Sequence, residues 1–217
     1  WNKSIDGSLI MAIKVANNNS LSAITSLPSG VSGGALTLIK SQTADASSGT
    51  VAFVNGSSDV VLDSTYPIYL FKFINIHPNN DGDILRVNFS DDTSSHSYDL
   101  AKTTTAFNAR HDEDGSDGGI AYSTGTDLAQ GTGNKDLTVG VNNANEASCS
   151  GEMYLFSPSS TTFVKHFLAT TNTDYGGRCY TRYSAGYINT TAAVTAVQLT
   201  FTGGNIDAGT FKLYGIK

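Results

Sequence analysis

The sequence predicts an all-β fold, a jelly-roll-like antiparallel β-sandwich with an extended N-terminal arm. One observation is the stretch Tyr66–Pro78, Tyr-Pro-Ile-Tyr-Leu-Phe-Lys-Phe-Ile-Asn-Ile-His-Pro, rich in β-branched and aromatic residues and bracketed by Pro67 and Pro78. A second is composition: 22 Gly and only 15% charged residues, with abundant Ser, Thr and Asn, suit many short strands joined by turns. A third is that no helical periodicity persists beyond a turn or two, whereas alternating runs recur at sandwich spacing. The 39% hydrophobic fraction over 217 residues is enough for one sizeable β-domain.

Taken in order, residues 1–34 read as the arm. Met11-Ala12-Ile13-Lys14-Val15 resembles a natural start, so residues 1–10 read as an upstream extension, a processed end or an uncertain assignment. Segment 11–34 is rich in Asn, Ser and Gly, holds Pro28 and shows little periodicity. Alone it buries too little to offset its ordering entropy, which predicts ordering against a neighbour. The sandwich then spans 35–217. Ala35–Gln42 opens it, Thr50–Val54 alternates, and Val60–Leu62 leads into the central strand.

With a period of two, Tyr66–Pro78 puts Ile68, Leu70, Ile74 and Ile76 on one face, with Lys72 interrupting, and Tyr69, Phe71 and Phe73 on the other. A strand apolar on both faces needs cover on both, from a second layer or a neighbouring subunit. Tyr69, Phe71 and Phe73 are accordingly the expected interface residues.

After the turn Asn79–Asp83, Ile84–Phe89 reads as a half-exposed strand. Residues 90–148 are the most polar part, with short strands expected at Ser97–Asn108 and Leu137–Val141 between loops rich in Gly and Asp. Gly151–Phe156 and Thr161–Thr170 read as a hairpin, and Tyr180–Asn189 as an aromatic run. Val194–Thr202 follows, and Thr210–Tyr214 closes the chain. That gives eight to ten strands, with most tyrosines expected inside.

The net charge of -6 and the lack of a Lys/Arg cluster argue against nucleic-acid binding. No apolar run approaches the roughly 20 residues of a membrane helix. Cys149 and Cys179 allow one disulfide, but no second Cys or close His gives zinc spacing, and free thiols are the expectation.

The motifs of nucleophilic, metalloprotease and phosphate-loop chemistry do not occur, and His166 reads as a core or interface residue. The acidic loop 111–119 offers the one metal candidate: Asp112, Asp114 and Asp117 are hard oxygen ligands, and Gly115 permits a sharp bend. The spacing does not fit a helix–loop–helix calcium site, so a solvated acidic turn is the plainer reading. Paired carboxylates for glycoside hydrolysis could come from 91–117, but their separation is not legible in sequence. The expectation is a protein without cofactor or catalysis.

Four phrases carry a resemblance: Ser32–Ile39 (Ser-Gly-Gly-Ala-Leu-Thr-Leu-Ile), Tyr69–Pro78, Leu155–Phe167, and the ending Gly204–Gly215 with its Gly-Thr-Phe-Lys-Leu-Tyr-Gly. Together they resemble small virion proteins of marine tailed bacteriophages, and the ending is similar to the last strand of several phage tail-fibre and decoration proteins. The resemblance spans Met11 to Lys217 and supplies no catalytic residue. It implies a structural component of a virion, decorating the capsid or forming part of a tail appendage. Such a component is assembled in the host cytoplasm and then carried on the extracellular particle. Its implied partners are other virion proteins and copies of itself, with trimers suggested. The alternative is a receptor- or glycan-binding module using loops 90–120 and Tyr180–Tyr187, with a cell-surface glycan as ligand.

Overall fold

Alternation of large apolar and polar residues along short runs produces strands and almost nothing else. The computed structural model describes residues 34–217. The arm expected over 1–34 lies outside them, except for Gly34. Among the described residues there are twelve strands: β1 (Leu36–Thr43), β2 (Thr50–Val54), β3 (Ile68–Pro78), β4 (Arg86–Ser90), β5 (Lys102–Asp112) and β6 (Gly118–Tyr122). They continue with β7 (Lys135–Asp136), β8 (Cys149–Phe156), β9 (Lys165–Asp174), β10 (Arg178–Ile188), β11 (Ala196–Thr200) and β12 (Ile206–Ile216). A single 3-10 turn at Thr124–Thr126 is the only helical element among the described residues.

The strands form two antiparallel sheets. One has eight strands in the order β1-β12-β3-β8-β9-β10-β5-β6, the other four in the order β2-β11-β4-β7. The sheets pack face to face as a β-sandwich. Phe53 of β2 meets Phe71 of β3 edge-on at 5.4 Å, and Phe89 of β4 meets Phe167 of β9 at 5.5 Å. Val87, Phe89, Val197 and Leu199 from the small sheet and Phe73, Met153, Leu155 and Phe211 from the large one complete one continuous core.

β3 is central, as the sequence predicts, with β12 and β8 on its two sides. Its aromatic face, however, is not a subunit interface. Tyr69, Phe71 and Phe73 are 0%, 1% and 1% exposed, turned onto the chain's own second layer. The Tyr69 hydroxyl donates to the carbonyl of Asp63 at 2.9 Å.

The period of two also breaks within β3. Its register against β8 shifts between Phe73 and Ile76, with Asn75 in the left-handed region at φ 51. Such a bulge flips the phase of every following side chain. Ile76, expected opposite the aromatics, therefore joins them in the core at 0% exposure, while Ile74 stays outside at 40%. Gly209 of β12 faces this bulge at φ 117, where a Cβ would lie 2.6 Å from the Asn75 carbonyl oxygen, so only glycine fits.

Candidate interaction surface on the eight-stranded sheet

Side chains that alternate with the core residues point to the outer face of the large sheet. On β3 these are Ile68, Leu70, Lys72 and Ile74, and cross-strand register carries the face through the sheet. Leu38 pairs with Tyr214 and Tyr214 with Leu70. On the other side Leu168 pairs with Ala185, and Tyr183 with Phe107, which pairs with Tyr122.

Nine large apolar side chains are conspicuously exposed among the described residues. Leu36, Leu38 and Ile74 lie on this face towards the β1 edge, and Phe107, Ile120, Tyr122, Leu168 and Tyr183 towards the β6 edge. The ninth, Phe163, sits in the loop before β9. Scattered exposed apolar residues need no explanation, but eight on one sheet face do. Phe107 and Tyr183 stack with centroids 4.8 Å apart and planes 14° apart. Charge on the face is sparse: Lys72 and Glu152 pair across β3 and β8, and Lys212 lies beside Lys72 in the register.

The tyrosines are thus placed differently from expectation, since only Tyr69 is buried. His166, expected in a core or interface, is exposed on the same outer face, its ring 6.3 Å from that of Tyr187. A hollow of about 320 Å³ lies between them, lined by Thr103, Thr105, His166, Leu168, Ala185 and Tyr187. Its rim is hydrogen-bonded: Gln130 Nε2 donates to Thr103 Oγ1 at 2.6 Å and to the Tyr187 hydroxyl at 3.2 Å, and Asn189 Nδ2 donates to Gln130 Oε1 at 2.5 Å.

The metal candidate does not assemble. Asp112 is held by Arg178 at 2.6 Å and Asp117 by Arg110 at 2.5 Å, while Asp114 accepts from the backbone N–H of Ser116 at 2.9 Å. Two of the carboxylates are committed to arginines of β10 and β5 and the third to its own turn, and no group of three or more metal-ligating side chains exists among the described residues. Hydrogen bonds from Ser116, and from Arg110 with its charge, hold the Asp114 and Asp117 carboxyls below their ordinary pKa. The cysteines cannot meet: Cys149 faces the core on β8, Cys179 is exposed on β10, and β9 lies between them. Burial pushes the Cys149 thiol up to about 12.

A second polar hollow, about 390 Å³, is lined by Asn75, His77, Glu146 and Asp207 among others. His77 Nδ1 lies 3.2 Å from Asp207 Oδ2, and its Nε2 lies 3.1 Å from the Ala144 carbonyl. His77 thus sits between the start of β12 and the loop before β8, and Ser148 also lines the hollow.

Sequence reasoning missed a set of buried cations beneath the β5–β10 half of the sheet. Lys102, Lys135 and Lys165 are each 0% exposed, and Arg182 is 3% exposed. The four-stranded sheet is narrower than its partner, and loops flank it on this side. The cations tie those loops down through backbone carbonyls. Lys102 Nζ donates to Leu100 and Gly133, both at 2.8 Å. Lys135 Nζ donates to Thr126 at 2.9 Å, with Asp127 3.8 Å away. Lys165 reaches Thr190 and Ala192, and Arg182 reaches Thr138, Ser123 and Thr126. Burial pulls Lys102 and Lys135 down to about 8 and lowers Lys165 and Arg182. In sequence, alternation sets Lys165 on the same side as Phe163 and Phe167; that this side is the core at Lys165 is decided by the packing.

No protein-family model, curated protein or solved structure matches this chain. No helix among the described residues is long and apolar enough to cross a membrane.

Proposed function

We propose that this protein is a non-catalytic structural component of a tailed-phage virion that assembles through the outer face of its eight-stranded sheet. The single observation that supports assembly is the gathering of eight of the nine exposed large apolar side chains on that face. Aromatic enrichment with little charge is the composition of an interface core. Eight strands about 4.8 Å apart and up to about 35 Å long give a face of about 1,000 Å², against about 800 Å² per partner in a stable complex. The virion setting rests on the resemblance of the Ser32–Ile39, Tyr69–Pro78, Leu155–Phe167 and Gly204–Gly215 phrases.

Strand order supports the finer jelly-roll reading. Strands β1, β3, β8 and β12 lie together in the large sheet, and β2, β4, β7 and β11 make up the small one, so the chain passes back and forth between layers. On this reading β5, β6, β9 and β10 are an extension that widens one sheet.

Cryo-electron microscopy of purified native particles tests the function. Regular density on the head lattice or the tail that fits the sandwich, with the large sheet facing a neighbour, is the expected result. Absence of the chain from every particle refutes it. A second reading, glycan binding, is favoured by the hollow between His166 and Tyr187 with its rim of Gln130 and Asn189, since aromatic faces beside amide donors suit sugar rings. A glycan array probed with the full chain tests that reading, and uniform silence rejects it.

A further inference from the structure

Among the strands of the described residues, β6 stands apart. Its five residues, Gly118-Gly119-Ile120-Ala121-Tyr122, are all exposed, and it forms one edge of the eight-stranded sheet. It pairs with β5 on one side, and among the described residues nothing pairs with it on the other. A strand exposed on both faces gains little burial to offset its ordering entropy. Soluble proteins usually blunt such an edge with Lys, Pro or a bulge. Within β6 there is no charge, no proline and no register break.

The hydrogen-bond phase shows which backbone groups are open. Asp112 N–H donates to the Asp117 carbonyl and Ser123 N–H to the Ala106 carbonyl, both at 2.9 Å, so Asp117 and Ser123 face β5. Antiparallel pairing alternates, which makes Gly119 and Ala121 the β5-facing residues between them. The N–H and C=O groups of Gly118, Ile120 and Tyr122 point away, towards solvent.

We propose that this open edge receives β6 of a second copy, antiparallel and centred on Ile120. This rests on the self-assembly reading but names a different surface, an edge rather than a face. The three outward residues are spaced symmetrically about Ile120, so a two-fold axis there pairs Ile120 with itself and each Gly118 with Tyr122 of the other copy. All three outward pairs then exchange both their hydrogen bonds. Each Tyr122 ring lies over a glycine, where no side chain obstructs it, and Asp117 comes opposite Ser123 rather than another charge. The two large sheets become one, continuous across the joint. An edge of five residues covers only about 300 Å² per copy, well below the roughly 800 Å² of a stable complex. The dimer is consequently weak and concentration-dependent, suited to reinforcement within a larger assembly.

Sedimentation of the full chain from about 5 to about 500 µM tests this, with substitutions chosen by the backbone phase. Ile120→Pro removes an outward N–H and leaves the β5 pairing intact, because a proline is tolerated where the N–H faces solvent. The wild type is expected to dimerise over this range and Ile120→Pro to lose that dimer while melting at the same temperature. As an independent measurement, Ile120→Cys in a Cys179→Ser background should oxidise to a disulfide-linked dimer, since paired Cα atoms about 5.5 Å apart fall within disulfide reach. Should Ile120→Pro fail to fold, this cross-link decides alone. A folded Ile120→Pro that still dimerises, or a cysteine variant that forms no cross-link, overturns the edge. Dimerisation lost in Leu168→Asp but kept in Ile120→Pro would overturn the edge while supporting assembly through the face.

Discussion

The buried lysines make stability rise with pH. Lys102 and Lys135 ordinarily hold their protons up to 10.5, but in the folded chain burial brings both down to about 8. Between those values the unfolded chain binds more protons than the folded one, so raising the pH favours folding. Each group contributes a slope approaching about 1.4 kcal/mol per pH unit. Two groups acting in the opposite direction limit the rise. The Cys149 thiol goes from 9.0 to about 12 and the Tyr69 hydroxyl from 10.0 to about 12, so the unfolded chain loses these protons first and stability falls above each lower value. Summing the four, stability should climb by about 3 kcal/mol from about pH 8 to about pH 10 and decline beyond. A neutral Lys102 amine keeps two donors, enough for its short bonds to Leu100 and Gly133, and gives up only the longer one to Thr132. Urea midpoints measured across this range read the effect directly. In the Lys102→Met, Lys135→Met double variant most of the rise should be lost, leaving only the contribution of Lys165 against the fall due to Cys149. Wild-type stability that is flat or falling between about pH 8 and about pH 9 would refute the argument.

Two further outcomes follow from the core and the acidic loop. Phe71→Ala removes a ring that is 1% exposed and packed edge-on against Phe53, and should cost about 3 to 5 kcal/mol in chemical denaturation; a loss below about 1 kcal/mol would mean that the two sheets do not pack there. Millimolar calcium should leave the melting temperature unchanged, because Asp112 and Asp117 are already paired with Arg178 and Arg110; a clear rise that disappears in Asp112→Asn would show that the loop opens to bind the ion.

What the sequence determined by itself was the local part of the structure. The all-β class, the central place of β3, the bounds of β2 and the approximate positions of most other strands follow from alternation, proline brackets and Gly- and Asn-rich turns, because a strand's period and its breakers are properties of neighbouring residues. The sequence left the pairing of the two cysteines open, favouring free thiols only through the general rarity of bridges inside cells; their placement on opposite faces decides it. Tertiary structure decided everything that depends on which layer covers which face. Tyr69, Phe71 and Phe73 have the pattern of an interface, but the four-stranded sheet of the same chain takes that face. The outer surface is read instead from Leu38, Phe107, Leu168 and Tyr183, whose neighbours lie on other strands. Ile76 changes sides because one left-handed residue, Asn75, shifts the phase. Strand β6 escapes sequence reading because Gly-Gly-Ile-Ala-Tyr has too little alternation to announce itself; its pairing with β5 makes it a strand. Lys102, Lys135 and Lys165 turn inward because loop carbonyls beneath the wide sheet need donors, a demand that arises only once distant segments have met.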